Sequence, residues 1–91
     1  MRKIEIDCRN ISSPEALQNY VQHVMNFPDW YGRNLDALHD MLTEISSPVT
    51  ITVITGADIN AEMRTYLERF LRVLNDSEKE NEFLTVNWIE K

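Results

Sequence analysis

The stretch "VTITVIT", residues 49–55, constrains the fold more than any other part of the chain. Every one of its residues is β-branched. Such side chains are stiff at χ1 and pack well on a pleated surface, so the stretch reads as a strand. It is apolar enough to lie at the centre of a sheet. "SSP" before it is a turn, and Gly56 closes it. A lone strand buries nothing, so the rest of the chain has to supply neighbours.

Two further segments qualify as strands. "KIEID", residues 3–7, puts Ile4 and Ile6 on one side, and "FLTVNWI" is the last strand. The segments between them carry helical spacing. In "NISSPEALQNYVQHVM", Ser13 is placed to cap a helix with Pro14 at its first position, and Ser12 with Glu15 is a competing capping box. Leu17, Tyr20, Val21 and Val24 form its stripe, and Pro28 ends any continuation. Gly32 reads as the tight point of a loop, in a backbone conformation that other residues resist. Asn34 then caps a helix from 35 to about 44, with Leu35, Leu38, Leu42 and Ile45 facing inward. A third helix runs from near Asp58 or Asn60 to about Asn75, burying Ile59, Met63, Tyr66, Leu67, Phe70 and Leu74. "DSEKENE" reads as a charged connector. The order is β-α-α-β-α-β, which predicts an α/β fold with a three-stranded parallel sheet and flanking helices. Residues 1–91 are expected to form one domain, without repeats, low-complexity segments or linkers.

Several function classes find little support. The only glycines are Gly32 and Gly56, so there is no glycine-rich phosphate loop. Cys8 is the only cysteine and stands beside the first strand with no base near it in sequence, which reads as a strand-end or core thiol. It cannot form an internal bridge, and the N-terminus lacks a signal peptide's apolar core, so a cytoplasmic protein is expected. A net charge of −6 argues against nucleic acid or an anionic membrane as direct ligand, and permits a basic partner.

The positive signal lies in the second helix, where Asp36, His39, Asp40 and Thr43 share a face. Asp36 is in the first turn, where the helix dipole favours a negative charge. Asp40 has no such excuse. It sits mid-helix, four residues from Asp36 and four from Glu44, so like charges repel. A neutral residue at position 40 would make the helix slightly more stable. One reading is an ordinary solvated face; the other is a face kept acidic for a partner. Trp30 and Tyr31, just upstream, favour the second, because aromatic anchors beside charges mark protein-binding surfaces; the competing reading packs these rings in the core. Asp36, His39 and Asp40 could also hold a divalent metal, but no second cluster supports them, and neither metal nor cofactor is expected. Two carboxylates can do acid–base work only in a cleft, which one exposed helix face rarely makes, so no enzyme is expected.

The motif "PDWYGRNLDALHDML", residues 28–42, resembles the signature of the barstar family, intracellular inhibitors of the secreted ribonuclease barnase. It is met by Pro28, Asp29, Trp30, Tyr31, Gly32, Asn34, Leu35, Asp36, Ala37, Leu38, Asp40 and Leu42. The likeness extends more weakly over the whole chain, and the family's three-stranded parallel sheet agrees with the order read above. The resemblance implies that the second helix and its preceding loop plug a ribonuclease active site. Asp40 would occupy the phosphate-binding spot, Asp36 would add charge at the edge, and Trp30, Tyr31, Gly32, Asn34, His39 and Thr43 would make contacts. A further acidic contact on the third helix falls at Asp76. The expected partner is a basic ribonuclease or nuclease-type toxin domain, bound by a free monomer. Three positions depart from the family: His39 stands where tryptophan is common, Ile45 falls near another aromatic position, and Ser46 and Ser47 replace a usual acid. These changes touch the binding face and leave a nuclease other than barnase an equal candidate. A barstar-fold adaptor for an unrelated basic protein is the alternative.

Overall fold

The computed structural model describes residues 2–91, and its elements are β1 (Arg2–Asp7), α1 (Pro14–Met25), α2 (Leu35–Thr43), β2 (Val49–Thr55), α3 (Ala61–Glu80) and β3 (Leu84–Glu90). The β-branched run is the central strand: the sheet order is β1-β2-β3 and both pairings are parallel. Register places Ile4, Ile51 and Val86 side by side, with Ile6, Val53 and Trp88 as the next row. These rows face the helices. Ile4, Ile6, Val49, Ile51, Val53 and Leu84 join Leu17, Val21, Leu38, Leu42, Met63, Leu67, Phe70 and Leu74 in one core. The alternate rows, Lys3–Thr50–Thr85 and Glu5–Thr52–Asn87, are exposed or half-buried. The protein is therefore one sheet with one layer of helices. Threonine suits the outer side of β2, because it is β-branched and tolerates water.

Helix starts are set locally. Ser13 Oγ accepts from the Ala16 N–H at 3.1 Å, with Pro14 in the first turn, so the Ser13 cap prevails over the capping box. Asn34 Oδ1 accepts from Ala37 N–H at 2.7 Å, and Asn60 Oδ1 from Met63 N–H at 2.9 Å. Each satisfies an orphan donor of a helix N-terminus.

α1 ends at Met25, where the sequence segment ends: Asn26 takes the left-handed conformation, φ 57°, and its N–H returns to Gln22 and His23 carbonyls. Two sequence expectations are corrected. Gly32 does not have positive φ; Arg33 does, at 54°. What position 32 requires is space, since a Cβ there would stand 3.2 Å from Ala37 Cβ and 3.2 Å from Asn34 Nδ2. Finally, "DSEKENE" is no connector. α3 continues to Glu80, with Ser77 fully buried. Two of its polar side chains are structural: Glu78 Oε2 accepts from Val86 N–H at 2.7 Å, and Asn81 is a buried clamp. Asn81 Nδ2 donates to the Leu42 and Ile45 carbonyls at 2.9 Å each, and its Oδ1 accepts from Phe83 N–H at 2.9 Å. The end of α2 is thereby tied to the start of β3.

The candidate acidic face

The loop before α2 is held from below by α1. Tyr31 is only 4 % exposed. Its hydroxyl donates to Gln18 Oε1, and Gln18 Nε2 donates to Tyr66 Oη at 2.7 Å, so loop, α1 and α3 share one hydrogen-bond chain. Burial pushes the Tyr31 phenol well above its ordinary value. The Phe27 and Tyr31 rings meet at 4.9 Å between centroids. Gln22 adds a second tether, donating to the Pro28 carbonyl at 2.9 Å and accepting from Arg33 Nε at 3.1 Å. A loop fixed by this many partners is pre-organised, which lowers the ordering cost of any contact it makes.

Trp30, next in sequence to Tyr31, is 76 % exposed. With Gly32, Asp40, Thr43 and Glu44 it borders a surface depression of about 390 Å³ floored by Ala37 and Met41. The Asp40 side chain is 81 % exposed. Thr43 turns its hydroxyl back onto α2, donating to the His39 carbonyl at 2.9 Å and the Asp40 carbonyl at 3.2 Å. Glu44 is the C-terminal cap residue of α2, whose last turn holds no basic side chain, so the dipole disfavours an acid there.

The face expected to unite Asp36, His39, Asp40 and Thr43 is thus divided. Asp40 and Thr43 border the Trp30 depression. Asp36 and Asn34 line a separate groove with Arg33, Tyr66 and Arg69. His39 turns toward α3, where its Nε2 meets the Glu80 carboxylate, while its Nδ1 lies 4.0 Å from Asp40 Oδ1. Glu80, then Asp40 and Asp76, hold the imidazolium above its ordinary value of 6.5. Asp76 is exposed on α3 and joins this rim. Tyr31 is the expected contact residue whose side chain has almost no surface to present; it positions the loop that presents Trp30.

Glu80 is the residue the sequence reading missed. The signal was available: once the helix is extended through "DSEKE", Asp76 and Glu80 fall at i and i+4 on one face. For the opposite reason Cys8 drops out, since burial pushes its thiol up to about 12, far from a reactive thiolate. Among the described residues no group of three or more His, Cys, Asp or Glu is arranged to hold a metal ion, and no helix is long and apolar enough to cross a membrane.

Residues 1–88 match the family model described as Barstar (barnase inhibitor). The chain belongs to the barstar family. A relative from Bacillus subtilis (strain 168), named "Putative ribonuclease inhibitor YrdF", is 37 % identical over 81 residues, covering 88 % of this chain and 89 % of the relative. In this barstar-family chain the signature motif coincides with the pinned loop and α2, the part of the surface that carries Trp30 and Asp40.

Proposed function

We propose that this barstar-family protein is a cytoplasmic inhibitor, an immunity protein, of a ribonuclease of the barnase type, and that α2 with its preceding loop plugs the nuclease's basic cleft. The observation that carries this reading is the placement of Asp40: an exposed carboxylate on a helix it slightly destabilises, beside an exposed tryptophan on a loop with no freedom to collapse. A nuclease that binds polyanionic RNA lines its cleft with cations. A carboxylate offered there replaces a phosphate and gains charge-assisted hydrogen bonds, bidentate where arginine is the partner. Asp36, Asp76 and Glu44 extend the negative field around that contact. Trp30, Gly32, Asn34, His39 and Thr43 are the remaining contact candidates, and Tyr31 acts through the loop it holds.

The test is inhibition of barnase, together with capture of partners from the native organism, using wild type beside Asp40→Ala. Inhibition, or recovery of a small basic nuclease, by wild type and its loss with the variant supports the reading. Equal capture by both proteins makes the acidic face ordinary solvated surface and favours an adaptor.

A further inference from the structure

His39 occupies a particular place on the acidic face. It is the one basic side chain of α2, and it bridges to the far end of α3, where Glu80 meets its Nε2. Asp40 from its own helix stands 4.0 Å from Nδ1, and Asp76 from α3 also acts on the ring. Lys79, the nearby cation of α3, borders a depression with Glu44, Glu78, Glu80 and Glu82, and makes no ion pair with these acids among the described residues. The imidazole is half-buried at the surface, within reach of solvent and of a docking protein.

We infer that His39 is the acidic face's own counter-ion, standing in for a cation that the basic partner supplies, and that it gives up its proton to solvent as that partner docks. This rests on the inhibitor reading and specifies how that interface is regulated. The physical reason is simple. An arriving guanidinium or ammonium that pairs with Asp40, Asp76 or Glu80 meets repulsion from an imidazolium at the same spot. A neutral ring removes the repulsion and still donates Nε2–H to Glu80. By linkage, a proton released on binding makes affinity rise with pH. His39 titrates above its ordinary 6.5 in the free protein, so affinity climbs as pH approaches that raised point and levels off beyond it.

The experiment is calorimetric titration of the full chain with barnase as probe, from about pH 6 to about pH 8.5, for wild type and His39→Gln. Groups on the nuclease titrate identically in both series, so the difference between them isolates His39. Wild type should gain affinity relative to the variant by up to about tenfold per pH unit, the limit for one proton released. Parallel profiles overturn the inference and leave the inhibitor reading standing. Absence of binding by both proteins at every pH overturns the barnase-type reading and the inference together. In the free protein, Glu80→Gln should lower the pH at which the His39 ring signals titrate by NMR. A titration unmoved by that change also overturns the proposal.

Discussion

The C-terminal end of β1 and the surface shared by α2 and α3 handle charge in opposite ways. At the first, Asp7 is fully matched: its Oδ1 accepts from Arg9 N–H at 3.1 Å and Arg9 Nε at 3.0 Å, and its Oδ2 from Nη2 at 2.7 Å. Those hydrogen bonds hold its carboxyl down to about 2. At the second, His39 meets Glu80 and lies 4.0 Å from Asp40, while Asp36, Glu44 and Asp76 make no ion pair among the described residues. The chain can match an acid with a base two residues away. Where acids stand without such bases, in a helix they weaken, folding does not explain them. On the proposed reading, the contrast separates residues kept for the fold from residues kept for a partner.

The sharpest way to break that separation is to compare Asp40→Ala with Leu38→Ala. Asp40→Ala should cost roughly 3–5 kcal/mol of affinity for the nuclease, the range for removing one member of a desolvated ion pair. Its melting temperature should hold or rise slightly. Leu38→Ala empties a fully buried site and should lose roughly 2–5 kcal/mol of stability by urea unfolding. A collapse of the Asp40 variant with an unperturbed Leu38 variant would reverse the two roles.

The next effect is smaller and divides two neighbouring aromatics. Tyr31→Phe leaves Gln18 Oε1 buried without its donor and should cost roughly 1–3 kcal/mol of stability. Trp30→Ala should stay within about 0.5 kcal/mol of wild type in stability while weakening nuclease binding, as measured by urea unfolding and inhibition. Below this, Asn34→Ala removes the α2 cap and should cost about 1 kcal/mol, with Asn34→Gly costing less.

The smallest effects are the pH slopes of the two regions, which have opposite sign. The folded-state carboxyl of Asp7 titrates below its unfolded value of 3.8, so its contribution is present above 3.8 and is lost as pH falls through about 2. The His39 imidazole titrates above 6.5, so its contribution is present below 6.5 and is lost as pH rises through the raised value. Urea midpoints of wild type should converge with those of Asp7→Asn in acid, and with those of His39→Gln in base. Slopes of the same sign would dissolve the contrast.

Much of this was legible in the chain because it depends on near neighbours. The strand at 49–55, the caps Ser13, Asn34 and Asn60, and the inward leucines of α2 follow from propensity, three-residue hydrogen bonds and helical period. "DSEKENE" misled because it shows no apolar stripe, although Glu, Lys and Ser sustain a helix when its preceding turns are anchored. The spacing of the signature motif pointed to α2 and its loop, but not to which side chains of that stretch reach water.

What the sequence by itself determined is the order of elements, the central strand, the starts of the helices and the presence of excess acid on α2. Each is a matter of residues within a few positions of one another. Only the tertiary structure decided that Tyr31 is buried while Trp30 is exposed, that Asp36 and Asp40 border different depressions, and that His39 meets Glu80, 41 residues away. Those outcomes depend on how α1 and α3 pack around α2, and a contact between side chains so distant in sequence has no local signature to read.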